Sequence, residues 1–262
     1  MPTPHDIRLV VFDWAGTTID FGCLAPAGAF VEAFAEAGVP VSVAEARGPM
    51  GLHKKDHIRA MLRVPEIGER WRKTHGRTWT EPDVERLYQA VTPKQVEAAR
   101  TYWKLIPGVV ECVAELRRRG IKVAATTGYF REAAEVVYAA AREQGFVPDF
   151  AVCADEVPQG RPAPWMIFRA MEATGVYPPA AVMKVGDTVI DIEDGVNAGV
   201  WSVGVIDSSN EMGLSEAEFA ALTPEERDRR RAEVRTRFTT AGAEAVINSL
   251  ADLPALIDKL SR

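Results

Sequence analysis

The run Leu9-Val10-Val11-Phe12 is followed at once by Asp13-Trp14-Ala15-Gly16-Thr17-Thr18, so a buried strand must end on a carboxylate. Continuous aliphatic and aromatic residues bounded by Ala15-Gly16 read as a strand covered on both faces, the pattern of a parallel sheet. Parallel strands need crossover connections, usually helices, and an open parallel sheet binds and reacts its ligands outside the carboxyl ends of its strands. Asp13 is thereby placed at the reactive edge of an α/β fold.

From about residue 103 the chain alternates helix and strand patterns. Helix Val109–Arg119 stops at Gly120, and strand Lys122–Thr126, helix Arg131–Gln144, strand Phe150–Val152 and helix Trp165–Thr174 follow. Strand Val182–Val185, helix Ile190–Ala198 and strand Trp201–Val205 complete the series. Such spacing predicts right-handed βαβ units, a Rossmann-like parallel sheet with helices on both faces. Between Phe21 and Tyr102 the periodicity is helical only, over Ala25–Ala37, Val43–Ala46, Lys54–Arg63, Glu66–Arg72 and Pro82–Trp103, with breaks at Gly38-Val39-Pro40, Pro49 and Pro65. The organisation predicted is a core of residues 1–20 and 103–262 with an inserted helical cap, residues 21–102. Trp71 and Trp79, between charged positions, suit either an interface or the core of that cap.

Composition narrows the function. With 262 residues, 47% hydrophobic, the chain can bury one large core plus a smaller module. A net charge of -6 argues against nucleic acid, and the basic run Arg227-Asp228-Arg229-Arg230-Arg231 has Glu225, Glu226 and Glu233 beside it, as on a solvated helix face. Cys23, Cys112 and Cys153 are scattered without CxxC spacing, which fits reduced thiols in the cytoplasm. Met1-Pro2-Thr3-Pro4-His5-Asp6 lacks the charged-then-apolar order of a leader, and no apolar run reaches the roughly 18 residues of a membrane span.

Asp13-Trp14-Ala15-Gly16-Thr17 resembles the first motif of the haloacid dehalogenase superfamily, a strand followed by DxDGT or DxxGT. The resemblance implies that Asp13 is a nucleophile that becomes an aspartyl-phosphate. Phosphatases of that superfamily usually carry a second Asp two residues on, to protonate an oxygen leaving group; Ala15 stands there. Met50-Gly51-Leu52-His53-Lys54-Lys55-Asp56-His57 supplies amines and imidazoles instead. A lysine that forms an imine with an aldehyde makes the neighbouring carbon a leaving group, as an enamine, with no oxygen acid required. A nucleophilic carboxylate, a missing acid and such a lysine together describe cleavage of a phosphorus–carbon bond beside an aldehyde.

That combination is similar to the phosphonoacetaldehyde hydrolases, and the likeness spans nearly the whole chain: FDWAGTTIDFGCLAP, RGPMGLHKKDHIRAM, TTGYFRE, DEVPQGRPAPWM and VGDTVIDIEDGVNAGVWSVGV occur in the family's order. The resemblance implies Lys54 as the Schiff-base lysine, although Lys55 is also an amine. It implies Mg2+ held by Asp13, the backbone carbonyl of Ala15 and Asp187, with Thr188 and Asp191 in support. Asp191, one turn beyond Asp187, is otherwise simply a helix N-terminal acid. Thr127, Gly128 and Arg161 are implied as phosphoryl binders, and a hydroxyl, glycine amides and a guanidinium suit phosphoryl oxygens. Cys23, Met50, His57 and Tyr129 are implied to line the substrate pocket, His57 being either a proton carrier or structural. Also implied are phosphonoacetaldehyde as substrate, a homodimer paired through its caps, and a setting in 2-aminoethylphosphonate breakdown.

Overall fold

A computed structural model describes residues 6–260; Met1–His5 of the N-terminal stretch read above lie outside the described residues. Strands β1 (Leu9–Phe12), β2 (Lys122–Thr127), β3 (Phe150–Cys153), β4 (Val182–Gly186), β5 (Trp201–Val205) and β6 (Ala245–Ile247) form one sheet in the order β3-β2-β1-β4-β5-β6. All pairs are parallel. The chain leaves β1 toward β2 and β3, then crosses back to put β4 on the other side, so the order reverses at β1/β4. Such a reversal opens a crevice at the strands' carboxyl ends. Phe12 is in register with both Ala125 and Val185, which brings the ends of β1, β2 and β4 level.

One face of the sheet, with Val10, Phe12, Val123, Ala125, Met183 and Val203, packs on α6 (Val109–Arg118), α7 (Arg131–Glu143) and α12 (Leu253–Leu260). The opposite face, with Leu9, Val11, Ala124 and Val182, is covered by α8 (Trp165–Thr174). Beside it, α9 (Val189–Ala198) and α11 (Pro224–Thr240) share a cluster of Ile192, Val234 and Phe238.

Helices α1 (Leu24–Glu36), α2 (Val43–Arg47), α3 (Lys54–Arg63), α4 (Pro65–His75) and α5 (Glu81–Thr101) enclose a separate core that includes Phe30, Phe34, Met61, Trp71 and Leu87. Burial of each such side chain contributes about 1.5–3 kcal/mol, so the insertion has its own hydrophobic support. Trp71 is buried in that core and Trp79 packs against it, which resolves the choice left open by the sequence. Beyond Pro93, α5 leaves this layer, and Val96 and Ala99 join the main core. Two linkers connect the layers; Ile19 bridges Leu105, and Asp20 N–H donates to the Lys104 carbonyl.

Elements expected from the sequence appear with ends shifted by at most three residues, and Lys54–Arg63, Trp165–Thr174 and Trp201–Val205 are unshifted. Helix α5 spans Glu81–Thr101 rather than Pro82–Trp103 because Thr80 and Asp83 form a capping box at its start. Helix α4 begins one residue earlier, with Pro65 at its first position, and runs to His75, where Gly76 adopts φ 69 and stops it. Past Val205 the sequence reading had named only a helix-like basic stretch. That stretch lies in α11, preceded by α10 (Glu216–Ala220) and followed by β6 and α12. The face is not wholly solvated: Arg231 pairs with Asp207 at 2.6 Å and stacks over Phe219.

Candidate active site

Asp13 follows β1 directly, and its N–H donates to the Val185 carbonyl at 2.9 Å, extending the β1/β4 pairing by one residue. Its carboxylate meets Arg161, whose side chain is 1% exposed, with Oδ1 2.6 Å from Nη2. The same Nη2 donates to the Thr126 carbonyl at 2.7 Å and to Thr126 Oγ1 at 2.8 Å. On the other side of the guanidinium, Nη1 lies 2.8 Å from Asp191 Oδ1, an ion pair whose angles fall short of a hydrogen bond. Thr188 caps α9 and donates to Asp191 Oδ2 at 2.7 Å. Asp194, also buried, has an oxygen 3.7 Å from Arg161 Nε.

Asp187 is held by Thr17 Oγ1 at 3.1 Å and by the Asn210 N–H at 2.8 Å. Gly16, at φ +87, makes room for it: a Cβ there would fall 2.0 Å from Asp187 Oδ2. Oxygens of Asp13, Asp187 and Asp191 all lie within 4.8 Å of one another, fully buried. Burial together with Asp13 and Asp191 pushes Asp187 well above the usual carboxylate range, and burial also raises Asp13 against the pull of Arg161. Asp191 differs: burial raises it, but Arg161 and Lys184 outweigh that and hold it at about 2.

A divalent cation fits this donor set. Hard oxygen ligands suit Mg2+, and a cation would offset the burial and the like charge that raise Asp13 and Asp187. Asp191 already faces two side-chain cations and Asp13 faces Arg161, so of the three carboxylates Asp187 alone has no ion-pair partner among the described residues.

The inserted layer closes this cluster. Lys54 is the first residue of α3, behind His53 as N-cap, and is 3% exposed. Its Nζ stands 5.7 Å from the Phe30 ring and 5.1 Å from the Tyr129 ring. Burial lowers its pKa from 10.5 to about 8, so about a tenth of the molecules carry the free amine at pH 7, against about one in 3,000 for an ordinary lysine. Lys55 points away, ion-paired with Glu85 at 2.6 Å and stacked over Tyr88. His53 accepts the Lys55 N–H at 3.3 Å and packs against Gly160. His57, one turn after Lys54, stacks on Phe30 at 3.8 Å and sits 2.8 Å from the Ala46 carbonyl through Nε2. That contact requires the proton on Nε2, which leaves Nδ1 as a buried lone pair with no hydrogen-bond partner. Burial, then Lys54, holds His57 well below its usual pKa, so the ring is neutral.

Asp13, Ala15, Cys23, Met50, Lys54, Thr127, Gly128, Tyr129, Arg161 and Thr188 line one cavity of about 20 Å³, counted by the positions a water centre can take. That is room for about one water. His57 lies behind Lys54, and Asp187 and Asp191 lie beneath Asp13, outside the lining. Burial keeps the Cys23 thiol and Tyr129 phenol protonated. The 50–52 loop is pressed onto the core: a Cβ on Gly128 would come 2.9 Å from the Leu52 carbonyl oxygen.

Sequence reasoning missed Lys184, Thr126, Asp194, Asn210 and Arg47. Lys184, in β4, lies 2.8 Å from Asp191; a lysine in an otherwise apolar strand was the available signal. Arg47 of α2 donates to the Gly22 carbonyl at 2.6 Å and to Asn210 Oδ1 at 3.1 Å, tying the insertion to the loop that holds Asp187.

Residues 7–199 match the model of the haloacid dehalogenase-like hydrolases. A phosphonoacetaldehyde hydrolase of Syntrophobacter fumaroxidans is 44% identical over 260 residues, covering 99% of this chain and 94% of its own. The chain belongs to the phosphonoacetaldehyde hydrolase family. Its likeness to phosphonoacetaldehyde hydrolases extends past residue 199, where the broader model stops, through α10–α12. A bifunctional phosphonoacetaldehyde hydrolase/aminoethylphosphonate transaminase of Clostridioides difficile is 44% identical over 97% of this chain, which matches 40% of that longer protein. Among solved structures, a phosphonoacetaldehyde hydrolase like protein from Oleispira antarctica superimposes with a TM-score of 0.97 at 40% identity, over 100% of this chain and 95% of its own.

Proposed function

We propose that the protein hydrolyses the phosphorus–carbon bond of phosphonoacetaldehyde to acetaldehyde and phosphate, through an imine on Lys54 and an aspartyl-phosphate on Asp13. The observation that carries this reading is the placement of Lys54, buried and lining one small cavity with Asp13, Arg161, Thr127 and Gly128; burial, which lowers its pKa, favours the free amine. No carboxylate stands at position 15 to protonate an oxygen leaving group.

The Lys54 amine adds to the aldehyde carbon and water leaves, giving an imine; His57, neutral behind the amine, relays the protons of that step. The protonated imine draws electrons toward nitrogen, so the carbon bonded to phosphorus becomes a leaving group. Asp13 attacks phosphorus in line, the phosphorus–carbon bond breaks, and its electron pair forms the enamine. Arg161 and the Thr127 and Gly128 donors stabilise the phosphoryl oxygens. Protonation of the enamine carbon and hydrolysis of the resulting imine release acetaldehyde and restore Lys54; water then cleaves the aspartyl-phosphate, restoring Asp13 and releasing phosphate. Mg2+, held by Asp13, the Ala15 carbonyl and Asp187, would when bound offset negative charge on the phosphoryl group.

The cavity is too small for the substrate, which supports a cap of residues 21–102 that opens from a core of residues 1–20 and 103–262 to admit it. We read the protein as cytoplasmic, with its cysteines free and buried and no helix long and apolar enough to cross a membrane among the described residues. We also read it as a homodimer paired through the cap, where α1 and α5 leave a groove lined by Ala25, Gly28, Ala29 and Pro93. A place in 2-aminoethylphosphonate breakdown is supported by the relative fused to an aminoethylphosphonate transaminase, since transamination of that amine yields the aldehyde.

The test is phosphate release from phosphonoacetaldehyde with Mg2+, with and without borohydride. Borohydride should abolish turnover only when substrate is present and leave a two-carbon adduct on Lys54. An adduct elsewhere, or release untouched by borohydride, would overturn the imine; no release would redirect the search to phosphate esters.

A further inference from the structure

Lys184 occupies the middle of β4, between β1 and β5, and is 0% exposed. The sheet pattern calls for an apolar side chain there, because an unpaired buried ammonium costs several kcal/mol. Strand alternation puts Lys184 on the face of Val182, which α8 covers. Gly195 of α9 lies against it, a Cβ there falling 3.3 Å from Lys184 Cβ. Its ammonium reaches Asp191 Oδ1 at 2.8 Å and donates to Thr126 Oγ1 at 3.3 Å.

Those two partners are also the anchors of Arg161, which takes Asp191 on Nη1 and Thr126 on Nη2 while Nη2 faces Asp13. Two cations thus share one carboxylate oxygen and one hydroxyl. With Lys184 removed, Asp191 would have Arg161 as its only close cation, and its attraction would draw the guanidinium away from Asp13. With Lys184 present, Asp191 is neutralised from behind and Arg161 keeps charge for what lies in front of it. We propose that Lys184 is a positioning residue for phosphoryl transfer, fixing the Arg161 guanidinium against Asp13 by holding Asp191 and Thr126. The phosphoryl role of Arg161 in this inference rests on the function proposed above.

The test compares full-length wild type with K184M, reading calorimetric affinity for inorganic phosphate with Mg2+, kcat and KM on phosphonoacetaldehyde, and the borohydride trapping rate at Lys54. K184M should bind phosphate at least about fivefold more weakly, with KM rising in the same direction, and lose about twentyfold or more in kcat, while imine trapping at saturating phosphonoacetaldehyde moves less than about twofold. The neutral donor variant K184Q should fall between. Wild-type phosphate affinity in K184M would overturn the proposal; so would equal losses of trapping and phosphate release, the mark of general damage. Should K184M not fold, K184Q carries the test, and wild-type phosphate affinity there overturns the proposal equally. If wild type releases no phosphate from phosphonoacetaldehyde, the proposed function fails, and the phosphate affinities still decide the part played by Lys184.

Discussion

Replacing Lys54 with methionine should make the protein inactive and more stable. The displacement of its pKa from 10.5 to about 8 is caused first by burial. At about 1.4 kcal/mol per pH unit, the charged lysine costs the folded state about 3 kcal/mol at neutral pH. Its approach to the Phe30 and Tyr129 rings, at 5.7 and 5.1 Å, offsets about 1 kcal/mol. Methionine fills nearly the same space without a charge, so K54M should gain about 2 kcal/mol at pH 7, a rise of about 4–8 °C in melting temperature.

The sign with pH is fixed by the direction of the shift. Below pH 8 the lysine is charged both folded and unfolded, and the full penalty stands. Between about 8 and 10.5 the unfolded chain holds the proton and the folded protein does not, so wild-type stability rises with pH. K54M has no such group, and its advantage should therefore shrink across that window. Urea denaturation of both proteins at pH 7 and pH 10 measures the difference, in which all other titrations cancel. A less stable K54M at pH 7, or a gap equal at both pH values, would refute the reasoning. In wild type, kcat/KM should fall tenfold per unit below a pKa of about 8, since only the free amine attacks.

In G186A, the new Cβ would fall 2.2 Å from Asp191 Cβ; Asp191 must leave Arg161 and Lys184, and kcat should drop about a hundredfold, with near-wild-type kcat counting against the network. R47M removes the hydrogen bond from the cap to Asn210 Oδ1 in the core, together with one to the Gly22 carbonyl within the cap; a charge-assisted bond contributes about 1.5–3 kcal/mol, so KM should rise about tenfold or more with a smaller change in kcat, and an unaltered KM would show that this contact does not hold the cap closed. Chelation with EDTA should stop phosphate release, leave borohydride trapping at Lys54 intact, and be reversed by Mg2+; continued release would remove the metal from the reading.

Strands β1 and β2 were legible because fully covered parallel strands read as apolar runs, and β4 in spite of Lys184; that placement put Asp13 at a strand's carboxyl end, while the roles of the other site residues came from the likeness to a known family. Strand β6 was not, since three residues with two only partly buried carry no period. Helix α5 could be read through Pro93 because its apolar spacing resumes on the far side. Lys184 stands in an otherwise apolar strand with no local pattern around it, and its partners Thr126 and Asp191 come from other elements and meet only in the fold. Arg47 and Asn210 lie 163 residues apart, and neither has a local pattern that announces the other. What motif spacing conveyed was the chemistry at strand ends; what it lacked was the long-range support behind that chemistry.

Ala15 matters for charge as well as for the absent acid. It lines the same small cavity as Lys54, above three clustered carboxylates. A carboxylate at position 15 would face the ammonium, and an opposite charge at about 4–6 Å moves a pKa by about 1–3 units. Lys54 would return toward its ordinary value, and the free amine at neutral pH would fall about tenfold or more. On the proposed mechanism, an acid at position 15 able to protonate an oxygen leaving group would thus disable the Lys54 amine. A15D should shift the acid limb of the borohydride trapping rate at Lys54 upward by at least about one pH unit. A limb left in place would show that burial alone tunes the lysine and that Ala15 is there only because the acid is dispensable.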